Sequence, residues 1–122
     1  MVSELTAPRH YRTLHGEALE FSSSPTGRVG RVFRGAGMEA VWVWKQDEAV
    51  DSEWFSQPMV DLILVAQGQL RVEFEQAIQE PRLLSPGDLL VLPPEERCRA
   101  NRWPRDRREA TVFFAVYPAA QE

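Results

Sequence analysis

The chain is poor in the residues that carry metal and redox chemistry. It has one cysteine, Cys98, and two histidines, His10 and His15, among 122 residues. A lone cysteine excludes an internal disulfide and fits a reducing compartment, so a cytoplasmic location is expected. Both histidines fall in a polar, irregular stretch, residues 1–16, read as an arm, and nothing in their spacing brings them to the rest of the chain. No apolar run approaches the ~20 residues of a membrane span. The start, Met1 to Thr6, lacks the basic-then-apolar pattern of a secretory signal. Positive charge is not in surplus either. The formal net charge of −4 favours solubility and argues against nucleic acid as a partner. There is no internal repeat and no helical periodicity of useful length.

What the chain does have is short strand-like runs separated by turns. Residues 38–44 are β-branched and aromatic, as a pleated surface favours. In residues 61–67, Asp61, Ile63 and Val65 share one face and Leu62, Leu64 and Ala66 the other. Gly68 permits the positive φ of a tight hairpin turn. Leu70, Val72 and Phe74 then alternate with Arg71, Glu73 and Glu75, giving one dry and one wet face. Pro86 and Gly87 fit the central positions of a type II turn. Residues 89–92 form a short strand that Pro93 and Pro94 end, because proline donates nothing to a ladder. Residues 110–117 are the last strand. The stretch from Ser22 to Gly27 reads as a turn by composition, and a second hairpin turn is expected near Trp103 to Asp106. The length suits one domain. An all-β domain over 17–118 is expected, with an arm at 1–16 and a tail at 119–122.

The order of pieces between Asp61 and Asn101 resembles the core of the cupin family, small jelly-roll β-barrels of antiparallel strands. Gly68 matches the glycine that closes the family's first motif, and Gly87 and Pro93 match positions of the second. The resemblance implies a site of three imidazoles and a carboxylate holding a metal. At those positions this chain departs from the family. The carboxylate position falls on Asp61. The first two histidine positions fall on Trp54 and Ser56 or, with one fewer spacer residue, on Phe55 and Gln57. The third falls on Cys98, a second motif glycine on Glu95, and the motif's asparagine near Arg102, with Asn101 one position short. The resemblance therefore carries the fold and not the metal chemistry, and no metal and no cofactor is expected.

The candidate site follows from these substitutions. Asp61 on an interior face would sit in an apolar pocket. Burial there raises a carboxyl pKa and makes an acid or base, with Tyr117 or Cys98 beside it. The alternative for Asp61 is a strand end that accepts hydrogen bonds. Cys98 lies between Arg97 and Arg99, where positive charge would favour a thiolate, or it is a small buried hydrophobe. Trp54, Ser56, Asp61, Cys98, Arg97 and Arg99 are the candidate ligand-binding residues. Of the arginines, at most one, Arg97 or Arg99, is expected to reach a ligand. Trp42 and Trp44 are read as packing.

The function expected is a metal-independent protein that holds a small anionic or aromatic molecule in the barrel. An enzyme such as an epimerase, cyclase or dioxygenase relative, using Asp61, and a dimeric interaction domain are the alternatives. Several strands are apolar on both faces, so a homodimer packed through strand faces is expected.

Overall fold

The computed structural model describes residues 20–24, 27–46, 53–76 and 78–118, together with Pro8, His10 and Arg12. Among the described residues nine strands follow one another: β1 (Glu20–Ser24), β2 (Gly27–Gly35), β3 (Met38–Lys45), β4 (Asp61–Gln67), β5 (Gln69–Phe74), β6 (Arg82–Leu84), β7 (Leu89–Leu92), β8 (Cys98–Trp103) and β9 (Thr111–Pro118). They form a six-stranded sheet in the order β1-β2-β3-β9-β4-β7 and a three-stranded sheet in the order β6-β5-β8, antiparallel at every pairing. The fold is an all-β jelly roll whose two sheets are packed against each other without closing into one hydrogen-bonded cylinder. Among the described residues no helix is long and apolar enough to cross a membrane.

Alternation decides which side chains face the gap between the sheets. In β4 the odd positions Asp61, Ile63 and Val65 are buried while Leu62 and Leu64 face out, and β7 repeats this with Leu90 and Leu92 inside. Val41 and Val43 of β3 and Phe113 and Ala115 of β9 meet them from one sheet. Leu70 and Val72 of β5 and Cys98 and Ala100 of β8 meet them from the other. Each large aliphatic side chain buried here contributes about 1.5–3 kcal/mol.

Three expectations about turns change. The proposed turn at Ser22–Gly27 is narrower, because Ser22, Ser23 and Ser24 pair with β2. Gly68 has the positive φ expected of it, +71°, but it is not a hairpin turn. It is the corner where the chain leaves the large sheet as β4 and enters the small one as β5. A Cβ there would meet Thr111 Oγ1 at 2.9 Å, and Thr111 Oγ1 donates to the Gln69 carbonyl at 2.7 Å, which ties the sheets together at the corner. Likewise, Trp103 to Asp106 leads from β8 in one sheet to β9 in the other. Two adjacent strand-like runs look alike in sequence whether they pair or part. The turn at Ser85–Asp88 is as expected: Gly87 has φ +92°, and the Asp88 N–H donates to the Ser85 carbonyl at 2.9 Å.

Candidate functional site

Between the sheets lies a cavity of about 190 Å³. Its walls come from successive rungs of the large sheet. Val41, Ala115 and Ile63 stand side by side across β3, β9 and β4, and Val43 and Phe113 make the next rung. Ala100 closes it from β8. The polar lining is Lys45, Gln57, Asp61 and Tyr117. Phe55 and Gln57 belong to the segment that precedes β4. Antiparallel bonds pin this segment: Phe55 N–H to Cys98 O and Cys98 N–H to Phe55 O, both 3.0 Å, and Glu95 N–H to Gln57 O, 2.7 Å. An extended backbone turns Phe55 and Gln57 inward and leaves Trp54 and Ser56 outside.

Asp61 is 5 % exposed, and its Oδ1 is buried without a hydrogen-bond partner. Burial pushes its carboxyl up from 3.8 to about 6, against a smaller opposing effect from the Leu62 N–H. Two neighbours feel its charge. The Cys98 thiol is pushed up to about 12, first by burial and then by Asp61 and Glu96. The Tyr117 hydroxyl is also pushed up to about 12, by burial, then by Glu39, with Asp61 adding. Glu39 accepts a hydrogen bond from the Tyr117 hydroxyl and another from the Arg31 Nε–H at 3.0 Å. Tyr117 is therefore a neutral donor at any physiological pH, and Asp61 is the lining group whose charge changes nearest neutrality.

The candidate residues thus separate. Asp61 lines the cavity, and Cys98 is buried in the core close to it. The thiolate suggested by Arg97 and Arg99 does not form. Strand alternation sends both arginines to the opposite face, and the thiol meets apolar surroundings and a carboxyl instead. Trp54, Ser56, Arg97 and Arg99 do not line the cavity. Arg97 pairs with Glu75 at 3.0 Å. Arg99 pairs with Glu73 and lies 4.2 Å above the Trp54 ring. Arg71 also reaches Glu73, at 3.1 Å, and lies 5.8 Å from the Trp103 ring. The outer face of the small sheet therefore carries a continuous ladder: Trp54, Arg99, Glu73, Arg71, Trp103. Arg99, with Arg71, holds the Glu73 carboxyl below its usual range. Lys45 went unnoticed in the sequence. The signal was present, since Val41, Val43 and Lys45 alternate in one strand.

Neither a family model nor a curated protein matches the chain. Solved structures do, and they give it the cupin fold. An RmlC-like cupin from Shewanella frigidimarina is 18% identical, with 88% of this chain and 89% of that one covered and a TM-score of 0.69. KdgF from Halomonas sp. is 26% identical, with 83% and 89% covered and a TM-score of 0.64. Hydroxypropylphosphonic acid epoxidase from S. wedmorenis is 9% identical, with 82% of this chain and 55% of that one covered and a TM-score of 0.70.

The family resemblance implies a metal on the cavity wall, but the residues present do not fit one. The motif positions hold an indole or a phenyl ring, a hydroxyl or an amide, one carboxyl and a thiol that burial keeps protonated. Among the described residues no three of His, Cys, Asp and Glu gather as an ion requires. His10 is exposed, and His15 lies outside the described residues. First-row metals want imidazoles and carboxylates together.

Proposed function

We propose that the chain is a metal-independent small-molecule-binding protein that holds its ligand between the two sheets. The observation that supports this reading is the unpartnered Asp61 Oδ1 in the wall of an apolar cavity. Buried polar atoms almost always have partners, so an orphan carboxyl oxygen on a cavity-lining residue suits a binding site better than a packed core. Apolar walls with a few convergent polar groups are the usual make-up of a ligand site. The test is a small-molecule screen read by methyl NMR of Val41, Val43 and Ile63, with thermal shift in parallel. Saturable movement of these signals and a rise in melting temperature is expected. A broad screen that moves none of them overturns the reading.

A second reading, an enzyme, has its own support. A carboxyl at about 6 is matched to proton transfer near neutral pH, and one structure of this fold is named as an epoxidase. In that case Asp61 is the acid or base, and Tyr117 lines the same cavity as a neutral hydroxyl held by Glu39. The outer face of the large sheet supports a homodimer. The free, buried Cys98 suits a reducing compartment such as the cytoplasm.

A further inference from the structure

We infer that the cavity takes a small uncharged ring compound whose hydroxyl or N–H donates to the Asp61 carboxylate. The inference rests on the cavity being a ligand site and names the ligand's chemistry. Size comes first. An apolar cavity of ~150 Å³ accommodates benzene, so about 190 Å³ takes one ring with a short substituent. The walls favour such a ring, since Val41, Val43, Ile63, Phe113 and Ala115 present only hydrocarbon.

Charge decides the rest. The arginines that made an anion attractive in the sequence lie on the outer face, paired with Glu73 and Glu75. An anion in the cavity would instead face the Asp61 carboxylate. Its one possible counter-charge, Lys45, already takes part in an interaction of its own. A cation would be drawn to Asp61 but would share the cavity with the Lys45 ammonium. In an apolar setting either like-charge encounter is expensive. A neutral donor meets neither penalty and finds an acceptor in the Asp61 carboxylate, which lines the cavity.

Four probes separate the possibilities: benzyl alcohol, toluene, benzoate and benzylamine, titrated at pH 7.5 against the wild type, Asp61→Leu and Asp61→Asn. Binding is followed by methyl NMR of Val41, Val43, Ile63 and Ala115. Benzyl alcohol is expected to bind roughly tenfold tighter than toluene, the worth of one buried hydrogen bond, and tighter than either ion. Asp61→Leu is expected to remove that tenfold advantage. Asp61→Asn, which keeps a carbonyl acceptor, is expected to retain most of it. Benzoate or benzylamine binding as tightly as benzyl alcohol overturns the inference and leaves the cavity's role intact, as does an Asp61→Leu protein with an unchanged benzyl alcohol advantage. Absence of any signal movement with all four probes overturns the inference together with the proposed function.

Discussion

Asp61 is held in a state that opposes folding at neutral pH. Its carboxyl titrates at about 6 in the folded chain against 3.8 in the free residue. Between those values the folded state binds the extra proton, so stability falls as pH rises through this window. The difference corresponds to roughly 3 kcal/mol, fully expressed above pH 6. Urea denaturation should therefore find the protein more stable at pH 5 than at pH 7.5. Asp61→Asn should flatten that slope, and a wild-type stability that instead climbs steadily from pH 5 to 7.5 contradicts the assignment. Glu73 acts in the opposite sense. Its carboxyl is held low by Arg99, so its contribution is present above its ordinary value of 4.5 and lost on stronger acidification. At this scale the sequence was informative about Asp61, because alternation with Ile63 and Val65 already turned it inward. For Cys98 it left two readings open, an activated thiol or a small buried hydrophobe, and the structure has the second. Flanking arginines are near in sequence, but in a strand they lie on the opposite side of the sheet.

Among the described elements, two turns carry non-glycine residues in the left-handed region. The β2–β3 hairpin closes through Ala36 and Gly37, with φ of +52° and +76°, between the paired residues Gly35 and Met38. Two positive φ values in a two-residue loop define a type I′ turn, where asparagine is favoured at the first position and alanine is strained. Ala36→Asn should stabilise the chain by about 0.5–1 kcal/mol, seen as a higher urea midpoint with an unchanged slope. A lower midpoint refutes the turn assignment. Glu95 has φ +62° at the position where the family resemblance puts a glycine. Glu95 holds there a conformation that glycine adopts more readily, and its N–H donates to Gln57 O at 2.7 Å. Turns of this kind are legible because they depend on local backbone sterics. Pro86 and Gly87 announced one, and Gly68 announced a positive φ without saying whether the strands beside it pair. The segment before β4 was harder to place. Only its attachment to Cys98 and Glu95 decides that Phe55 and Gln57, rather than Trp54 and Ser56, face inward, and such a distant bond leaves no mark in the local sequence.

In the whole molecule the large sheet has a second apolar face. Val91, Leu62 and Val116 stand in one row and Leu89, Leu64, Phe114 and Trp42 in the next. Trp42 packs on Phe114 at 5.2 Å, and Phe21 and Trp44 extend the cluster. Leu89 and Val91 are more than half exposed. Patches of this kind mark association surfaces. The chain is therefore expected to sediment as a dimer at micromolar concentration, and Leu64→Glu to sediment as a monomer. A wild-type monomer throughout that range refutes this. The double apolar pattern of β4, β7 and β9 was plain in the sequence. The outward placement of Arg99 was not, because the sign of a strand's faces is set by the partner sheet.

The outer ladder and the inner cavity share one stretch of backbone. Trp54 is clamped beneath Arg99, and the next residue, Phe55, forms part of the cavity lining. Consecutive side chains on an extended strand point opposite ways. A ring that displaces Phe55 from within is therefore expected to disturb the Trp54 indole under its guanidinium on the other side, which would make the outside of the barrel a place to read what its interior holds.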